Sequence, residues 1–264
     1  MIYLLIGRTG SGKDYLQKLL EDRGLKPLKS YATRPKRTPD EDSHIFISHD
    51  EAEKITDKAA YTQIGDYEYF STRTQLRECD TYIIDPAGLD DLLRNVPDET
   101  YHIVYIEAED DTRKIHAIKR AENKIQEEER FTARCDAEDA MFSEFEKKLV
   151  DMADNGTISY PDCVTSIEIY NNEYDKENAE QFADYLMLHK TLHDRMINII
   201  HESINMGIIR SVDGGTSVFT IIKEDAEQNV PVERFADMVI TNAESMQALM
   251  SQYIIRSDRF SDNP

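Results

Sequence analysis

The chain has 264 residues, 40% of them hydrophobic, and a formal net charge of −21. That length suits one large α/β domain, or a domain with an appendage, and the composition supports a real core. The charge argues against general binding to nucleic acid, whose phosphates would be repelled, and no apolar run approaches a membrane span. Neither nucleic acid nor a membrane is therefore an expected partner. Cys79, Cys135 and Cys163 lack metal-type spacing and read as reduced thiols of a cytoplasmic protein. Met1 leads straight into an apolar strand, so no signal peptide is expected. The acidity is uneven. Residues 1–50 hold nine Lys/Arg against seven Asp/Glu, and the rest of the chain 22 against 45.

The apolar run Ile2–Ile6 predicts a buried strand, and the amphipathic stretch Tyr15–Leu20 a helix. Between them stands Gly7-Arg8-Thr9-Gly10-Ser11-Gly12-Lys13-Asp14. Strand, glycine-rich loop, lysine and helix in that order predict a phosphate-binding loop. Gly7, Thr9, Gly10, Ser11 and Gly12 would wrap the backbone round phosphates, whose charge the N–H groups and helix start favour. Lys13 would add a full charge. An ordinary glycine-rich turn is the alternative, but it would need no lysine at this spacing. The residue after the lysine is usually Ser or Thr, whose hydroxyl ligates Mg²⁺. Here it is Asp14, a hard oxygen ligand that also brings negative charge near the phosphates.

Further along, Ser30–Arg37 reads as a loop. His44–Ser48 predicts a short strand, and Asp50–Lys54 a helix start with Asp50 as cap and Glu53 three residues on. Tyr61–Ser71 suits paired strands. Thr81–Asp85 predicts a strand ending in an acid, Ala87–Leu93 a helix, and His102–Ile106 a buried strand. Residues 110–149 read as charged helix, Ser166–Tyr170 as a strand, and Glu177–Ile204 as a long amphipathic helix. This alternation predicts a parallel sheet with helices on both faces. After residue 205 the texture changes. Asp213–Gly215 predicts a turn, Ser217–Ile222 a strand, and Pro231–Met238 and Glu244–Ile255 helices. Residues 206–264 thus read as a small α+β appendage, able to bind a protein partner or self-associate.

Arg34 and Arg37 lie three apart on a Pro-stiffened loop, and guanidinium forks suit a second phosphate. Here the chain resembles the guanylate kinase family. That family carries Ser-x-x-Thr-Arg-x-x-Arg about twenty residues after its phosphate loop, matching Ser30, Thr33, Arg34 and Arg37. His44-Ile45-Phe46 follows as the family's His/Tyr-Phe does. Gly65-Asp66-Tyr67-Glu68-Tyr69-Phe70-Ser71-Thr72 is similar to its Gly-Asn-Tyr-Tyr-Gly-Thr, one residue longer. Ile83-Ile84-Asp85-Pro86-Ala87-Gly88 stands where the family has Asp-Ile-Asp-x-x-Gly. The resemblance covers about residues 1–190. It implies a P-loop three-layer α/β/α fold over residues 1–205, with a monophosphate-binding insertion at 30–80 and a helical lid at 110–149.

It also implies ATP and Mg²⁺ as cofactors and phosphoryl transfer to a nucleoside monophosphate, GMP first. Ser30, Arg34, Arg37, Tyr69 and Asp85 would bind the acceptor. Arg130 and Arg134, with Arg120 and Lys119 nearby, would close over the transferred group. Asp14 would hold the metal. Two family carboxylates are replaced. Ala59 stands where a glutamate reads guanine, and Ile83 replaces the first strand aspartate. Asp57 or Glu68 would have to supply a carboxylate from a shifted register, so base preference stays open. Two other readings stand beside the enzyme: a non-catalytic module of the same fold, and a kinase for another small acceptor.

Weaker features have plainer accounts. His189 and His193 share a helix face but lack the glutamate of a metalloprotease motif, so a packed or solvated pair is favoured. Glu127–Glu129 reads as an exposed face, and Met238, Met246 and Met250 as core filler. Arg113 divides evenly between a lid residue and an ion-pair partner.

Overall fold

The computed structural model describes residues 1–36, 38–120, 124–155, 163–205, 218–223 and 226–231. The fold is α/β with a parallel sheet at its centre. The chain divides into two compact units, residues 1–163 with 167–173, and residues 164–166 with 174–264.

In the first unit, β1 (Ile2–Ile6) is buried along its whole length. It pairs in parallel with β6 (Thr81–Ile83) on one side and β7 (Tyr101–Glu107) on the other. A strand with neighbours on both edges and cover on both faces must be apolar throughout, which is how Ile2–Ile6 reads. β8 (Val164–Asn171), of which residues 167–171 belong to this unit, completes the order β6-β1-β7-β8.

α1 (Lys13–Asp22) buries Leu16, Leu19 and Leu20, one helical stripe. Burying each such side chain stabilises the fold by roughly 1.5–3 kcal/mol. The helix stops at Gly24, whose φ of 100° few other residues tolerate. There the Gly24 and Leu25 N–H groups donate back to Glu21 and Leu20, closing off the last turn.

Residues 31–72 form a second four-stranded sheet. Its order is β3-β2-β5-β4, from β2 (Tyr31–Ala32), β3 (Ile45–Phe46), β4 (Lys58–Ile64) and β5 (Tyr67–Thr72). The β4–β5 hairpin turns at Gly65, at φ 60°. Two sequence expectations change here. Tyr31–Ala32 pairs with both β3 and β5 rather than lying in a loop, because the proline that signalled a loop comes only at position 35. α2 (His49–Ala52) is capped by Ser48, not Asp50. The Ser48 hydroxyl accepts from Glu51 N–H while the Glu51 carboxylate accepts from Ser48 N–H. Both Ser-x-x-Glu and Asp-x-x-Glu fit the local signal, and β3 ending at Phe46 favours the earlier start.

α3 (Arg73–Glu78) has a reciprocal cap between Thr72 and Gln75. α4 (Pro86–Asn95) starts with proline at its first position and Asp85 as its cap. α5 (Asp110–Arg120) and α6 (Lys124–Asn155) make up the charged helical region expected at 110–149.

The second unit contains α7 (Lys176–Asn205) and an antiparallel pair, β9 (Val218–Lys223) with β10 (Ala226–Pro231). β9 lies where a strand was predicted. β10 carries no strand pattern in Ala226–Pro231, and its pairing with β9 supplies what the local sequence does not. The expected Asp213–Gly215 turn and the Glu244–Ile255 helix lie outside the described residues, as does the expected Pro231–Met238 helix beyond Pro231. No described helix is long and apolar enough to cross a membrane.

Candidate functional site

The Gly7–Gly12 loop leaves the end of β1 and delivers the chain to the start of α1. Gly12 has φ 99°, and a Cβ there would lie 2.3 Å from Asn172 Nδ2. That amide donates to Ser11 O at 2.6 Å, and Asn172 N–H donates to Glu107 O at 2.8 Å. Asn172 thus ties the loop to the end of β7 and requires glycine at position 12. Gly7 is fixed in the same way, since a Cβ there would strike Ile106 O at 2.5 Å. Gly12 is the N-cap of α1 and has no side chain with which to cap it.

Lys13 folds back on the loop. Its Nζ donates to Gly7 O at 2.6 Å and Arg8 O at 3.0 Å. Burial pushes the ammonium below the ordinary lysine range, against the opposing pull of Asp14, Glu138 and Asp85. Arg113, on α5, is buried, with its guanidinium donating to Thr9 O at 2.6 Å and Asp110 at 2.6 Å. It stacks on the Phe131 ring. The ion-pair reading thus holds, with Asp110 as the partner, but the guanidinium is buried against the loop rather than lying at the surface.

A cavity of about 390 Å³ opens over the loop, lined by Thr9, Gly12, Lys13, Asp14, Glu127 and Arg134 among others. Asp14 is exposed at its wall. Arg134 reaches it from α6. Arg130, one turn earlier, is exposed beside Glu127 at 4.0 Å and does not line it.

α6 also grips the loop from its other side. Thr9 N–H donates to Glu138 at 2.9 Å, and the Thr9 hydroxyl donates to the same carboxylate. Arg8 donates to Glu146 through Nε at 2.8 Å and Nη2 at 2.9 Å, and to Asp139 at 3.0 Å. Burial alone would raise the Glu146 carboxyl. Hydrogen bonds from Arg8 and Tyr105 outweigh it and hold the group below its ordinary value of 4.5. A depressed carboxyl contributes stability that is fully present above pH 4.5 and is lost as pH falls through the folded value. The wild type should therefore lose melting temperature more steeply than Glu146→Gln between about pH 5 and about pH 3. Parallel curves would show that this pair adds no acid-sensitive stability.

The expected acceptor residues gather around the second sheet. The Ser30 hydroxyl is 2.9 Å from His44 Nδ1, and Tyr69 meets the His44 ring edge-on at 5.7 Å. Arg34 is buried. It donates to both Glu41 oxygens, at 2.9 and 2.6 Å, and lies over the Phe46 ring at 4.9 Å. The Glu41 contact holds its guanidinium above the ordinary arginine value despite burial, with Tyr69 adding to the effect. Arg37 lies outside the described residues.

Asp85 has structural work. Its carboxylate accepts from Gly88 N–H at 2.7 Å and from the Thr62 hydroxyl at 3.4 Å. Burial raises its carboxyl above the ordinary range. The two substitutes considered for the missing guanine-reading carboxylate are engaged as well. Glu68 pairs with Lys58 at 2.8 Å, and Asp57 accepts from the Thr74 hydroxyl at 3.1 Å. His189 and His193 are both buried, 6.4 Å apart between ring centroids. Among the described residues no group of three His, Cys, Asp or Glu gathers as a metal site.

No protein-family profile and no curated protein sequence matches the chain. Among solved structures it is similar to the crystal structure of guanylate kinase from Anaplasma phagocytophilum. The identity is 12% and the TM-score 0.38, over 71% of this chain and 85% of that one.

Proposed function

We propose that the chain is an ATP-dependent nucleoside monophosphate kinase, with GMP the first acceptor to test (ATP + GMP giving ADP + GDP). The observation that carries this reading is the loop with its cavity: Lys13 and Arg134, from two separate helices, converge beside the glycine-rich turn. Phosphoryl transfer needs two anionic substrates held in line and the moving charge stabilised. Gly7, Thr9, Gly10, Ser11, Gly12 and Lys13 would hold the donor phosphates. Ser30, Arg34, Arg37, Tyr69 and Asp85 would hold the acceptor. Arg130 and Arg134 would cover the transferred group and exclude water. The acceptor oxygen is already anionic, so no general base is needed. A partner-binding or self-association role for residues 206–264 belongs to the same proposal.

Asp14 is the residue that would hold Mg²⁺. Its exposed carboxylate suits a hard cation, which would also take nucleotide phosphate oxygens and water. Bound with ATP, Mg²⁺ would neutralise charge on the β- and γ-phosphates. If Asp14 is a metal ligand, Asp14→Ser keeps Mg²⁺-dependent activity and Asp14→Ala lowers it. If Asp14 only repels phosphate, both changes tighten ATP. ATP titrations with and without Mg²⁺ separate the two, because the effects differ in sign.

Two observations favour the non-catalytic module as a second reading. Arg34 is already neutralised by Glu41, and Glu138 already engages the loop at Thr9. The deciding experiment is an assay of ATP with each common ribo- and deoxyribonucleoside monophosphate, with and without Mg²⁺. Transfer to one of them supports the enzyme. ATP binding that ignores Mg²⁺, with no transfer to any acceptor, supports the module.

A further inference from the structure

Three carboxylates of α6 take donors at the start of the phosphate loop. Glu138 accepts from both the N–H and the hydroxyl of Thr9. Two oxygens on two donors of one loop residue is the pattern a phosphate would make there. Glu146 and Asp139 bind Arg8. Residues 138, 142 and 146 recur every four residues and so share one face of α6. Between the two carboxylates, Phe142 is buried and its ring lies 5.5 Å from the Arg8 guanidinium. The contact is therefore a docked helix face with apolar and charged parts, not a single surface ion pair.

An anion that already occupies a site competes with any other anion for it. The apparent affinity of the arriving ligand falls by the fraction of molecules in which the site is open. Phosphate and carboxylate repel one another, so both would not hold Thr9 together. We propose that α6 is an intramolecular latch: Glu138 stands in for phosphate on the loop, and a nucleoside triphosphate must displace it to bind. This rests on the phosphate-loop reading of the proposed function. The latch links occupancy of the loop to the position of α6, the same helix that carries Arg130 and Arg134. Release of Glu138 removes one of the contacts that dock α6 on the loop, beside those that Asp139, Phe142 and Glu146 make with Arg8.

The test is calorimetry of ATP, and separately of inorganic triphosphate, with the full chain as wild type, Glu138→Ala and Glu138→Gln. Glu138→Gln keeps the size of the side chain and guards against a loss of folding in Glu138→Ala. A hydrogen bond to a charged group, once removed from competition, predicts about tenfold tighter binding by both variants. Inorganic triphosphate should show the same gain, because the competition is for phosphate and not for the base. Equal or weaker affinity in the folded variants, with the wild type still binding ATP, overturns the latch and leaves the phosphate loop standing. No binding by the wild type or by either folded variant overturns both.

Discussion

Lys13→Ala is expected to abolish measurable ATP binding while the protein stays folded. The lysine would give the donor phosphates a full positive charge from the start of α1, whereas the Arg8 guanidinium on the loop is paired with Glu146. Charged hydrogen bonds are worth about 1.5–3 kcal/mol each, so losing two of them weakens binding more than about a hundredfold. The fold has little need of this charge. Nζ is satisfied by Gly7 O and Arg8 O, and burial lowers its proton affinity. A lysine whose folded value is lowered costs stability where it is charged. Unfolded chains then hold more protons than folded ones between that lowered value and 10.5, so stability rises with pH across that window. Lys13→Ala should lack that rise and melt no lower than the wild type at neutral pH. Calorimetry with ATP and thermal melts from neutral to alkaline pH check both halves. Unchanged ATP affinity in a folded variant would remove the phosphate-loop assignment.

The parts of the fold legible in the sequence are those with local causes. Ile2–Ile6 is apolar at every position because both faces are covered, and that can be read without a partner. Leu16, Leu19 and Leu20 announce their helix by spacing alone. The paired strands expected over Tyr61–Ser71 are β4 and β5, which turn at Gly65. β2 and β10 were not legible for the opposite reason. Two residues are too few to carry a pattern, and Ala226–Pro231 becomes a strand only by pairing with β9.

The site divides along the same line. The glycines and Lys13 lie within a few residues of one another, so spacing carries their chemistry. The residues that engage them do not. Glu138 is 129 positions from Thr9, Asn172 is 161 from Ser11, and Arg113 is 104 from Thr9. Nothing in a run of charged helix marks Glu138 apart from Glu127 to Glu129. Glu41 lies only seven residues from Arg34, but Asp40 and Asp42 flank it, and nothing local marks which carboxylate meets the guanidinium.

That partner alters what Arg34→Ala should do. The side chains of Arg34 and Glu41 are 7% and 12% exposed, so the pair is nearly out of water. Removing the arginine takes the charged partner from a mostly covered carboxylate that keeps only neutral help such as the Ser43 hydroxyl, and breaking a buried pair from one side costs up to about 3–5 kcal/mol. Arg34→Ala is therefore expected to lower stability sharply, and its effect on an acceptor cannot be read from activity alone. Glu41→Gln separates the roles. It keeps the shape and an acceptor oxygen for the guanidinium but removes the competing negative charge. If Arg34 holds the acceptor phosphate, Glu41→Gln should bind GMP more tightly and Arg34→Ala at least about tenfold more weakly. If Arg34 serves only the fold, neither change moves GMP affinity. The double variant Arg34→Ala with Glu41→Ala should then regain most of the stability lost by Arg34→Ala alone, because no charge is left stranded. Urea unfolding of the four proteins, set beside GMP titration of each, distinguishes an arginine held ready by its glutamate from one that is merely its structural counterpart.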